Sequence, residues 1–152
     1  MTIETFLKSD SPLPIAKKTV LNLVYTQNVI TEKFNEVLKP FDISSEQFNV
    51  LRILRGQKGC PANMSLIQDR MLARTSNTTR LVDKLLAKGL VTRKVCPDNR
   101  RKIEVLITPK GLDLLQEIDP KIEQHEQFFA GNLNAGELDT LNNLLEKIRT
   151  IA

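Results

Sequence analysis

The chain has 152 residues, with 22 Lys and Arg against 18 Asp and Glu, two cysteines and one histidine. That length suits one packed domain; two irregularly spaced cysteines exclude a disulfide framework or four-ligand zinc site, and no apolar run nears the roughly 20 residues that cross a membrane. Charge is unevenly placed: Arg52 to Lys102 holds 13 Lys and Arg against three Asp, while the remainder holds nine against 15 acids, the footprint of a nucleic-acid face on an acidic body.

The first dozen residues, ending in Ser11-Pro12-Leu13-Pro14, read as a loose lead-in. They show no charged-then-apolar leader, so the cytoplasm is the expected location. From Ile15 to Leu38, Val20, Leu23, Val24, Ile30, Phe34, Val37 and Leu38 recur at helical steps, predicting one long amphipathic helix stopped near Pro40. Ser44 and Gln47 have capping-box spacing inside an Ile43/Phe48 staple, so a second helix starts there and ends near Gly56. A loop from Gln57 to Asn63 follows. Ser65 and Gln68 repeat the box spacing and predict a short helix through Met71. Thr75 or Ser76 is the expected cap of the next helix, which buries Leu81, Val82 and Leu85 and stops at Gly89.

Period two then takes over in Leu90 to Cys96 and Lys102 to Thr108, with Pro97-Asp98-Asn99 as the turn. Leu106 breaks the alternation, so its side of the hairpin is expected to be partly covered. Thr108-Pro109 starts a helix running toward Phe129, which Pro120 is expected to kink or to restart with Asp119 as cap. Asn134 and Glu137 form a last box, and Leu141, Leu144, Leu145 and Ile148 its apolar stripe. The expected fold is mainly α with a small β-hairpin wing: a winged helix-turn-helix flanked by N- and C-terminal dimerisation helices. Residues 1–152 form one domain, with 44–108 as the nucleic-acid-binding region and 12–39 and 109–151 as helices that pair with a second chain.

A helix-turn-helix sets its second helix in the major groove. Here that helix opens Ser76-Asn77-Thr78-Thr79-Arg80, with Asn77, Arg80 and Lys84 on one face and Ser76, Thr79 and Asp83 beside it. Asn bonds adenine bidentately and Arg guanine, while hydroxyls suit phosphate oxygens. At the hairpin, Arg100, Arg101 and Lys102 crowd the tip, where arginine enters a narrow minor groove and lysine holds phosphate. The candidate DNA contacts are Ser65, Arg74, Thr75, Ser76, Asn77, Thr79, Arg80, Lys84, Asn99, Arg100, Arg101 and Lys102.

The run Ile67 to Leu86, Lys88-Gly89-Leu90-Val91 with Arg93, and Asp98-Asn99-Arg100-Arg101 before Val105-Leu106-Ile107-Thr108 and Gly111 resemble the MarR family of bacterial winged-helix regulators, over nearly the whole chain. The resemblance implies a homodimer on a pseudo-palindromic operator in duplex DNA, usually a repressor relieved by a small ligand or oxidant, with Arg101 as the wing arginine. Asn99 stands where the family's wing has aspartate, leaving Asp98 with Arg100 to brace the wing. Leu72-Ala73 replaces the usual glycine of the helix-helix turn, so a tight left-handed turn is expected to be relaxed.

No cysteine lies between Pro12 and Lys39, which removes the family's peroxide-sensing position; Cys60 and Cys96 are the residues left for redox chemistry. A small-molecule effector would draw on Tyr25, His125, Phe128 and Phe129, for which core packing accounts equally well. No nucleophile–base pair, phosphate-cradling loop or metal cluster is present in the sequence, so neither enzyme activity, metal nor cofactor is expected. The competing class is a winged-helix module that binds an acidic protein without reading DNA.

Overall fold

The computed structural model describes residues 1–74 and 76–150. The lead-in is not loose: Ile3–Leu7 form a short helix, α1, capped by the Thr2 hydroxyl, which accepts from the Thr5 amide at 3.2 Å. Five residues do not hold a helix alone. Packing does it here: Ile3 is only 5% exposed, and the Phe6 ring lies 4.2 Å from that of Tyr25. Lys18 reaches Glu4 at 2.8 Å, and its hydrogen bond holds that carboxyl below the usual carboxylate value.

The long helix α2 spans Ile15–Leu38 and tightens into a 3-10 turn, Lys39–Phe41, which accommodates Pro40 in its first turn. α3 (Ser45–Gly56) begins with the full box, Ser44 and Gln47 exchanging side-chain to backbone bonds at 3.1 Å each. A two-residue strand, β1 (Ala62–Asn63), precedes α4 (Met64–Arg70). The expected Ser65/Gln68 box does not form. Asn63 is the cap, accepting from Leu66 N at 2.7 Å, because pairing of Asn63 with Glu104 of the sheet fixes where the helix can begin.

α5 (Thr78–Ala87) likewise starts later than expected: Asn77, not Thr75 or Ser76, accepts the bond from Arg80 N at 3.1 Å. Thr75 itself lies outside the described residues. At the far end Gly89 takes φ +70°, and the amides of Gly89 and Leu90 close on the carbonyls of Leu86 and Leu85 at 3.0 Å each, a Schellman motif. β2 (Val91–Cys96) and β3 (Asn99–Ile107) follow, and the sheet runs β1-β3-β2, antiparallel throughout. Leu106 is half-buried, as its break in the alternation implied.

α6 (Pro109–Ala130) continues through Pro120 as one helix, and α7 (Ala135–Ile148) opens on the Asn134/Glu137 box. Asp119 does not cap a restarted helix; its carboxylate receives Arg55 from α3, at 2.8 to 3.1 Å. The core gathers Val50, Leu51, Ile67, Val82, Leu85, Val91 and Val105 from the winged helix-turn-helix, together with Leu38 of α2 and Leu115 and Ile118 of α6. The flanking helices therefore lend their near ends to the head's core. Their far ends do not: α7 buries no residue.

Candidate nucleic-acid interface

The period of α5 decides its chemistry. Thr78, Leu81, Val82 and Leu85 are buried against the core, so Thr79, Arg80, Asp83 and Lys84 are turned outward. Ser65, Arg74 and Asn77 are exposed beside them, and Ser76 is half-buried. The Ser76 hydroxyl oxygen is buried and has no hydrogen-bond partner among the described residues. The cap constrains Asn77: one lone pair of Oδ1 is committed to the Arg80 amide, which leaves the other lone pair and Nδ2 for a base or phosphate.

The wing is built differently from its expected form. The turn has two residues, Pro97 and Asp98, and Asn99 already pairs with Cys96. The next pair is Val95 with Ile103, so Arg100, Arg101 and Lys102 are opposed by no residue of β2. They form an exposed bulge, and bulges re-aim side chains out of a ladder. Three neighbouring cations therefore splay from the hairpin side near its tip rather than sitting in the turn. Asn99 Oδ1 accepts from the Arg101 amide at 3.1 Å and shapes that bulge.

The expected bracing of the wing by Asp98 and Arg100 is absent: neither belongs to an ion pair among the described residues. Arg93 supplies the brace instead, donating from Nη1 to Asp83 Oδ1 at 2.7 Å. Residues opposite each other on antiparallel strands share a face, and Arg93 pairs with the buried Val105, so it lies on the helix-facing side. Sequence reasoning left Arg93 out of the site; its register with Val105 was the signal.

Away from the basic face, a cleft of about 440 Å³ opens between α2 and α6, lined by Lys33, Val37, Lys121, Gln124, His125 and Phe128 among others. Of the expected pocket residues, His125 and Phe128 line it, whereas Phe129 and Tyr25, whose ring lies tilted against that of Phe6, do not. His125 is half-buried, with Nε2 3.2 Å from the Ile30 carbonyl and its ring between those of Phe34 and Phe129 at 5.3 and 5.2 Å.

Cys60 is exposed and Cys96 half-buried, both free. Cys96 ends β2 and pairs with Asn99, while Cys60 lies two residues before Ala62, which pairs with Val105 on the other side of β3. Among the described residues no three His, Cys, Asp or Glu side chains cluster as metal ligands, and no helix is long and apolar enough to cross a membrane.

Comparison with known proteins adds a sequence and a structural match. The sequence pattern of the MarR family matches residues 43–103. The multiple antibiotic resistance protein MarR of Salmonella typhimurium is 33% identical over 128 residues, covering 83% of this chain and 88% of that protein. A mutant MarR from Escherichia coli complexed with operator DNA superimposes with a TM-score of 0.77 at 26% identity, covering 91% of this chain and 99% of the other. Bordetella bronchiseptica BpsR, described with regulation of its DNA binding by 6-hydroxynicotinic acid, shares the fold with a TM-score of 0.80 at 24% identity, over 93% of this chain and 100% of that one.

Proposed function

The chain belongs to the MarR family of transcriptional regulators, and from that membership we propose a homodimeric, sequence-specific reader of duplex DNA that acts as a repressor and is released by a small molecule. Members of this family are regulators, not enzymes. The observation that carries the DNA reading is the wing bulge, three consecutive cations with no strand residue opposite them, taken with the outward Thr79, Arg80 and Lys84 of α5.

In this arrangement α5 enters the major groove. Arg80 addresses a guanine edge, the exposed Thr79 suits a phosphate oxygen, and Lys84 and Arg74 add charge along the backbone, while the Ser76 hydroxyl, buried as it is, stays out of the contact. Arg101, with Arg100 and Lys102, reaches the adjacent minor groove or its phosphates. The exposed apolar residues Val20 and Val24 of α2 and Leu141, Leu144 and Ile148 of α7 support pairing with a second copy. Two heads then meet a pseudo-palindromic operator at half-sites about 34–36 Å apart. The protein acts in the bacterial cytoplasm.

The cleft between α2 and α6 is the proposed effector site. Lys33 is paired with Glu36 of the same lining at 3.0 Å, so the positive charge on offer is that of Lys121, beside the apolar wall of Phe128 and Val37, a combination suited to a small amphipathic anion. Such a ligand releases DNA only by binding one spacing of the two heads better than another. The test is selection of bound duplexes from a random pool, with the assembly weighed by sedimentation. A dimer enriching a two-fold repeat is expected; a monomer without salt-dependent duplex binding overturns the reading.

A further inference from the structure

Between α4 and α5 the chain reverses over Met71 to Asn77 without a glycine, and no described residue of that turn has a positive φ. Among the described residues its backbone supplies two bonds, from Met71 N to the Gln68 carbonyl at 3.3 Å and from Ser76 N to the Ala73 carbonyl at 3.2 Å. Side-chain amides from two helices add to them. Asn49 of α3 accepts the Leu72 amide on Oδ1 at 2.9 Å. Gln68 of α4 uses both ends of its amide, donating from Nε2 to the Arg74 carbonyl at 3.0 Å and accepting the Thr78 hydroxyl on Oε1.

Thr78 is the first residue of α5 and is 6% exposed, so its hydroxyl needs a partner inside the protein. Gln68 is that partner. The same amide therefore grips the turn at Arg74 and the start of α5 at Thr78, and ties both to α4. Gln68 is half-buried, and a partly buried polar pair costs desolvation that an apolar pair avoids, with a fixed geometry as its return.

We propose that Gln68 is a positioning residue for DNA recognition: its amide, bridging the Arg74 carbonyl and the Thr78 hydroxyl, sets the angle at which α5 presents its reading face. Both ends of its amide are engaged within the protein, so it governs discrimination between sequences rather than attraction to duplex. The inference rests on the DNA-binding reading above. Reading bases demands that donors be held to within a fraction of an ångström, whereas phosphate attraction tolerates looser placement.

The experiment uses the full-length protein and two probes: a duplex selected on the wild type from a random pool, and a scrambled duplex of the same composition. Affinities are measured against salt for the wild type, Gln68→Leu, Thr78→Val and Thr78→Ser, with thermal melting alongside. For Gln68→Leu and Thr78→Val the ratio of selected to scrambled affinity is expected to fall roughly tenfold, the worth of a buried hydrogen bond, with scrambled affinity within about twofold of wild type. Thr78→Ser keeps the hydroxyl and is expected to keep the ratio. Equal loss on both duplexes, tracking the melting temperature, would assign Gln68 to stability alone and overturn the proposal, as would an unchanged ratio in folded variants. Absence of duplex binding by the wild type would instead overturn the functional reading itself.

Discussion

Arg93 and Asp83 lie 2.7 Å apart, guanidinium to carboxylate, and join β2 of the wing to the outward side of α5. Both side chains are substantially exposed, 38% and 53%, so the pair stabilises the fold by only about 0.2–1 kcal/mol. Its larger effect is on charge. Arg93→Ala leaves the carboxylate uncompensated on the surface proposed to face DNA, whereas Asp83→Ala frees a guanidinium for phosphate. The two variants are expected to move non-specific duplex affinity in opposite directions, down and up respectively, while changing the urea midpoint alike. Titration of a scrambled duplex at low salt checks the sign; movement in the same direction would place the pair off the interface.

Gly111 holds α6 against the hairpin. A methyl group there would meet the Leu90 carbonyl oxygen at 2.5 Å and Ile107 Cγ1 at 2.7 Å. Because backbone cannot yield cheaply, Gly111→Ala is expected to cost about 1–3 kcal/mol, read as a lower urea midpoint with unchanged slope. Gly56→Ala, where nothing lies within 4 Å, is the control and is expected to be neutral or slightly stabilising.

No residue of α7 is fully buried in its own chain, Leu138 and Leu145 being half-buried, and Leu144 is 55% exposed on it. Leu144→Glu is expected to weaken self-association by tenfold or more, on the order of the cost of burying an unpaired charge, and to leave the helical circular dichroism intact. Sedimentation across a concentration series checks this. An unaltered assembly would mean that α7 is not part of the dimer frame.

Local chemistry that ends in local partners was legible in the sequence. The Ser44/Gln47 and Asn134/Glu137 boxes, the Thr108-Pro109 start and the Gly89 stop all stand where their spacing put them. Misplacements arose where a distant partner decides. Ser65 and Gln68 satisfy the box pattern, yet strand pairing at Asn63 and the pull of Thr78 on Gln68 override it. α1 exists because α2 offers Tyr25 and Lys18, which no five-residue window reveals. The same contact removes Tyr25 from the cleft. In the wing, composition gave the three cations, but only the register shift between Val95 and Cys96 shows that they share one bulge.

The most direct test is the salt dependence of duplex binding by wild type and Arg101→Ala at equal dimer concentration. Each phosphate neutralised contributes about 0.9 to the slope of log affinity against log salt. The expected result is weaker binding by Arg101→Ala, with sedimentation and melting unchanged and the slope reduced by about one where Arg101 meets phosphate. Duplex affinity that is indifferent to Arg101 and to salt would contradict the account and turn the basic face toward an acidic protein partner.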